Sequence, residues 1–201
     1  MTTMLAVVKE DISVAVSVLA RAFIEDPTMV FMFPQPENRL EALTAFFRVF
    51  VADGVKRGNV LLAPEEKGAI VWYPASVSVF DDTFAEIEAE IEAIATHCGG
   101  AGAAARFEQL GKKIQAKAPT VAHAEVFWIA ILPEARGQGI GGILLQPVLD
   151  YADIENVGCY LVSSNPRNIT FYERHGFRQA VPILANSNLS MMGMWRDPQQ
   201  K

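Results

Sequence analysis

Apolar residues along this chain switch between two repeats, and the switches mark out the elements. Val14, Val18, Leu19, Ala22 and Phe23 recur at helical spacing, which predicts a first helix with one buried face. Asp26-Pro27 ends it, because proline lacks a backbone N–H and disfavours a helical residue before it. Pro34-Gln35-Pro36 is a second break, after which Leu40, Leu43, Phe46, Phe47 and Phe50 predict another amphipathic helix. Short apolar runs over 59–63 and 68–73 predict two strands joined by a turn at Pro64-Glu65-Glu66-Lys67-Gly68, and a run over 5–8 predicts a short strand before them. Phe84, Ile87, Ile91 and Ile94 predict a helix over 81–97, followed by a loop over 98–102 and a helix over 104–115 that closes at Lys117-Ala118-Pro119-Thr120. Beyond it the order is strand 124–131, a helix from near Ile140 marked by Leu144, Leu145, Val148, Leu149 and Ala152, strand 159–163, a short helix over 166–175, and strands 178–184 and 189–195. Ser164 or Asn165 caps that short helix, Pro166 starts it, and Gly176 suits the left-handed position after its end. Strands and helices in this order predict an α/β class, as an α+β sandwich with a mixed central sheet flanked by helices. Neither a repeat nor a linker divides residues 1–201, so one domain is expected.

Composition narrows the function classes. The chain has 201 residues, 51% of them hydrophobic and 20% charged, which is globular and long enough to bury a full core. Its net charge of −6 argues against a general binder of nucleic acid or anionic membrane and suits a cationic substrate. No apolar run is long enough to span a bilayer, and Met1-Thr2-Thr3-Met4 does not open a secretory signal. Cys98 and Cys159 make no disulfide framework, so a cytoplasmic protein with reduced thiols is expected. No cluster has metal-ligand spacing, and no metal is expected.

The chemistry concentrates in Arg136-Gly137-Gln138-Gly139-Ile140-Gly141, between a strand and a helix start. The first N–H groups of a helix lack internal partners and attract anions, and glycines let a phosphate come close to the backbone. Arg136 adds a planar cation suited to phosphate oxygens. A pyrophosphate-bearing ligand follows. Gly137, Gly139 and Gly142 formally fit a dinucleotide fingerprint, but Pro133-Glu134-Ala135-Arg136 separates them from the strand, and too little chain remains for a doubly wound fold. A P-loop is excluded because no Lys-Ser/Thr pair follows the glycines.

Taken with Asn165-Pro166-Arg167-Asn168-Ile169-Thr170-Phe171-Tyr172-Glu173-Arg174-His175-Gly176-Phe177 downstream, this loop resembles the GNAT superfamily of acyl-CoA-dependent N-acetyltransferases. The segment from Ala22 to Pro27, the Val71-Trp72 strand and the helical middle section resemble its puromycin N-acetyltransferase-like branch. The resemblance implies a GNAT acyl-CoA N-acyltransferase fold. It also implies that the strand before the loop splays from the next, exposing main-chain groups of Ile129, Ala130 and Ile131 to a pantetheine arm. Amides of Gly137, Gln138, Gly139, Ile140 and Gly141 then bind the pyrophosphate beside Arg136, and Asn168 contacts the cofactor arm. Tyr172 stands where the family places a phenol near the thioester sulfur, and a phenol protonated at neutral pH can protonate a leaving thiolate.

The acceptor amine must also lose a proton. Glu125 and His123, two apart on one strand, face the same side and are the candidate bases, with water as a third route. Phe171 is assigned to packing. Neither cysteine has a histidine partner signature, so direct transfer in a ternary complex is expected over an acyl-cysteine. The implied partners are acetyl-CoA and a small amine; no nucleic acid or membrane partner is expected, and any self-association would most simply be a homodimer. The alternative is an acyl-CoA-binding sensor or scaffold without turnover. Phe23, Asp26, Phe31, Phe33, Trp72 and Tyr73 are candidates for the acceptor pocket or for the core. Glu86, Glu88, Glu90 and Glu92 form either a solvated face or an attractor for a cationic amine.

Overall fold

A computed structural model describes residues 5–6, 12–185 and 189–199. In chain order the elements are β1 (Leu5–Ala6), α1 (Ile12–Ala22), α2 (Pro27–Met32), α3 (Pro36–Arg57), β2 (Asn59–Leu62), β3 (Gly68–Tyr73), α4 (Phe84–Cys98) and α5 (Ala103–Gln115). They continue as β4 (His123–Ile131), α6 (Ile140–Ile154), β5 (Gly158–Ser163), α7 (Ile169–Arg174), β6 (Arg178–Ala185) and β7 (Ser190–Arg196). Seven strands form one sheet in the order β1-β2-β3-β4-β5-β7-β6. Among the described residues, only the central β4–β5 pair is parallel. A parallel neighbour requires a crossover, and α6 supplies it.

The helices cover both faces. Val18, Leu19, Phe46, Phe47, Val71 and Trp128 belong to the core under α1 and α3. Ile70, Val126, Leu144, Leu145, Val148 and Leu161 belong to the core under α6. Pro147 lies inside α6 and removes a helical donor at a cost of about 3 kcal/mol. Leu144, Leu145 and Val148 are fully buried, at roughly 1.5–3 kcal/mol each, so the apolar stripe outweighs the proline.

The strands and long helices follow the hydrophobic pattern, with four differences. Asp26-Pro27 ends α1 but also starts α2, which is too short to display a periodicity. Cys98 is the last residue of α4, not part of the loop. The short helix near 170 is a 3-10 turn, Pro166–Asn168, followed by α7. Of the strand expected over 5–8, Leu5 and Ala6 pair with β2, while Val7 and Val8 lie outside the described residues.

Three arginines, Arg39 among them buried, fix the segments around the site. Arg39 donates to the carbonyls of Phe33, Ile24 and Pro34, tying α3 to both ends of α2. Arg106 on α5 donates to the carbonyls of Met32 and Gly99. Arg57 pairs with Asp53 and Asp81, and the Tyr73 hydroxyl donates to Asp53, tying α3 to β3 and to the approach to α4.

Candidate active site

The central strands part at mid-length. β4 pairs with β5 from His123↔Gly158 to Val126↔Leu161 and no further, while β5 continues along β7 as far as Ser163↔Met192. Residues 127–131 of β4 keep β3 as a neighbour on one side and, among the described residues, have no strand partner on the other. Phe127 is an extra residue opposite the Val71/Trp72 step, and such a bulge sharpens the local twist. The outcome is an unpaired strand edge beside a gap, at Ile129, Ala130 and Ile131. An amide-bearing ligand can extend the sheet there.

The glycine loop continues from this edge. Pro133–Ala135 forms a 3-10 turn, Gly137 and Gly139 adopt φ of +77° and +78°, and α6 starts at Ile140. Gly139 is the N-cap and supplies no side-chain cap. Among the described backbone hydrogen bonds of turns, loops and caps, none is donated by the amides of residues 137–141. Nothing stands within 4 Å of a Cβ built on Gly137 or Gly139, so the approach to these amides is open. A helix N-terminus with free donors and no cap favours an anion. Arg136 is exposed, with Nη2 donating to the Ala22 carbonyl at 3.4 Å. Gly141 differs from the other two, since a Cβ there would meet the Phe171 ring at 2.9 Å. Phe171 is therefore a packing residue that seats α7 against the start of α6.

Asn168 and Tyr172 lie across the gap. Asn165 caps the turn that leads into α7 by accepting from the Arg167 amide at 3.0 Å, and Gly176 ends it at φ +87°. Tyr172 belongs to the core on the α6 side, yet with Asn168 and Ser164 it lines a cavity of about 780 Å³ on the opposite face. It reaches that face where β4 and β5 have separated. Burial, reinforced by the negative charge of Asp26, pushes the Tyr172 hydroxyl well above the usual phenol range, so it stays protonated at neutral pH.

Glu125 is buried and lines the same cavity; His123 does not line it. The two side chains do face the same side, with His123 Nε2 3.7 Å from Glu125 Oε2. His123 Nδ1 lies 2.7 Å from the Val121 carbonyl, which can only accept, so Nδ1 carries a proton. Nε2 is left to exchange a proton beside the carboxylate. Burial lowers the His123 pKa, but the Glu125 carboxylate and the Val121 carbonyl outweigh it, and the net position is above 6.5. Tyr160, paired opposite Glu125, is pushed up to about 12 by burial and by that carboxylate. Burial pushes the Cys159 thiol up to about 12, which makes it a poor nucleophile, and Cys98 is also raised by burial.

Sequence reasoning underrated Asp26. Its Oδ1 accepts from the amides of Thr28 at 2.9 Å and Met29 at 3.4 Å, capping α2, and Ser164 Oγ donates to its Oδ2 at 3.2 Å. It thereby joins the N-terminal helices to the loop after β5, beside Tyr172. Burial raises its pKa against these hydrogen bonds. The signal was present, since Asp followed by Pro is a helix start as well as a helix stop. Asp26→Ala is expected to cost about 1 kcal/mol, typical of a lost cap, read as a lower urea midpoint. Of the other acceptor candidates, Phe23 lines the cavity and Phe33 is core. Phe31 is 43% exposed under Arg106, Trp72 packs on Tyr151 on the α6 side, and Tyr73 is buried against Asp53.

The family model for the acetyltransferase (GNAT) domain matches residues 47–179. A Corynebacterium glutamicum structure described as histone acetyltransferase HPA2 and related acetyltransferase is 25% identical, covers 100% of this chain and 99% of its own, and superposes with a TM-score of 0.70. PaiA N-acetyltransferase from Thermoplasma acidophilum, solved in complex with coenzyme A, is 12% identical over 98% of this chain and 99% of its own, with a TM-score of 0.60, and so shares the fold.

Proposed function

This chain belongs to the GNAT acetyltransferase family, and from that premise we propose that it moves an acetyl group from acetyl-CoA to a primary amine of a small-molecule acceptor. One observation carries the proposal. The unpaired edge of β4 runs into the loop with the free amides of 137–141, that loop packs on α7 through Gly141 and Phe171, and Ile129, Asn168 and Tyr172 line one cavity. These features fit the three parts of acetyl-CoA. The loop amides and Arg136 suit the pyrophosphate, and the main chain of Ile129, Ala130 and Ile131, with Asn168, suits the amide-bearing arm. Tyr172 then stands at the thioester.

The reaction on this scheme is direct. The amine nitrogen forms a bond to the thioester carbonyl carbon and the C–S bond breaks. The sulfur takes a proton from the Tyr172 hydroxyl, and the nitrogen loses one to Glu125 directly or through a water. Tyr172 is reprotonated from solvent. Glu125, on the cavity wall, is the favoured proton acceptor, and His123 passes the proton outward through Nε2. Holding amine and thioester together supplies much of the rate, since orientation converts an encounter into a first-order step. Free CoA thiol released on adding amines to protein and acetyl-CoA tests the proposal; release that is absent across a broad panel of primary amines rejects it.

The His123 pair makes a further prediction. Protonated His123 cannot take the proton from Glu125, so kcat/KM falls as pH drops through a histidine value raised above 6.5. His123→Gln is expected to remove this limb from the profile. For stability the sign is opposite. The protonated form is favoured by the fold, so its contribution is full below the unfolded histidine value and is lost as pH rises through the raised one.

A further inference from the structure

The cavity extends well beyond the gap, into a chamber between α4, α5 and β4. Phe46, Phe50, Phe80, Phe84, Phe107 and Phe127 wall it. Its volume of about 780 Å³ falls in the range of small-molecule sites and exceeds what a short amine fills.

Gly111 points the same way. It lies in the interior of α5, where glycine costs up to about 1 kcal/mol relative to alanine. Its φ does not require glycine, and nothing stands within 4 Å of a Cβ built on it. The missing side chain leaves room in the chamber. The lining on α4 and α5 also carries charge, with exposed Glu88, Glu92 and Glu108 against Lys112, whose ammonium is already paired with Glu108. Glu125 faces the inner end. An excess of carboxylates beside apolar walls suits a cation on an apolar body.

We infer that the acceptor is an amphiphilic primary amine with a bulky, preferably aromatic, body, drawn in by the acidic face and lodged in this chamber. The inference rests on the acetyl-transfer reading for its amine but is tested by binding as well. Calorimetry on the full chain with CoA present compares 4-phenylbutylamine with butylamine, and the same pair is run in acetyl transfer. The aromatic amine is expected to bind at least about tenfold more tightly and to lead by a similar ratio in kcat/KM. Gly111→Phe, which fills the chamber, is expected to collapse both ratios, while Gly111→Ala keeps most of them. Ala89→Trp, exposed on the α4 wall, repeats the test if the phenylalanine variant does not fold. Equal affinities, or ratios unmoved by both filling variants, overturn the inference even if short amines are acetylated. Selective binding lost on filling, with no acetylated amine formed, sustains the chamber and rejects the acetyl-transfer reading instead.

Discussion

Tyr172→Phe is expected to lower kcat about 100-fold, the lower end of what a positioned proton donor supplies. The substitution keeps the ring, which packs against Phe171 and Phe177, so the fold and the gap survive. Only the hydroxyl is lost. The role proposed for it rests on two observations: it reaches the cavity where β4 and β5 separate, and its pKa is raised by burial and then by Asp26. A phenol so held is a weak acid, weaker in water than a thiol. It nevertheless can donate to a departing thiolate, because the same desolvation raises the basicity of the sulfur. Removing the hydroxyl leaves sulfur to depart as a buried anion. The loss therefore falls on kcat, while KM for acetyl-CoA moves little. A variant in which KM rises and kcat holds would make Tyr172 a binding residue.

The second large effect concerns the loop. Acetyl-CoA at 100 times its Kd should stabilise the protein by about 2.7 kcal/mol, which for a domain of this size is a rise of roughly 5–10 °C in Tm. Gly139→Glu is expected to abolish that rise. The substitution places a side chain in the open approach to the loop amides and adds a negative charge where an anion should sit. It also strains a backbone at φ +78°, so the ligand-free Tm falls as well. Gly102→Glu separates the two effects. Gly102 caps α5 with φ +76°, away from the loop, so its glutamate carries similar strain and should leave the ligand-induced rise intact. A rise retained in Gly139→Glu would move the ligand off this loop.

Much of this arrangement was legible in the sequence, for physical reasons. The helical stripe placed α6, and continuous apolar runs placed β3, β4 and β5, because burial is what hydrophobic patterning records; β3 is buried on both faces and so shows no alternation. Gly137 and Gly139 were readable because their positive φ demands glycine. Asn168 and Tyr172 were readable as a pair because they lie one helical turn apart. The separation of β4 from β5 was available only through resemblance, since unpaired and paired strand residues carry the same alternation. α2 and the link between Asp26 and Ser164 were hidden for a related reason. They join residues 138 apart, through a six-residue helix that has no pattern of its own. The chamber was hidden as well. Phe46 and Phe50 read as the buried stripe of a helix, and they are core, but one side of that core faces a cavity. Gly111 was the one trace of it in the sequence, as an unexplained glycine inside an otherwise regular helix.

Direct acetylation of an amine is the central claim, and intact-mass analysis tests it most directly. The protein is held with acetyl-CoA, its mass is taken, an amine is added, and free thiol and acetylated amine are followed together. An unmodified protein is expected before addition, and equal amounts of thiol and acetylated amine after it. An acetyl adduct on the protein that disappears when amine arrives, or thiol release without acetylated amine, would contradict it.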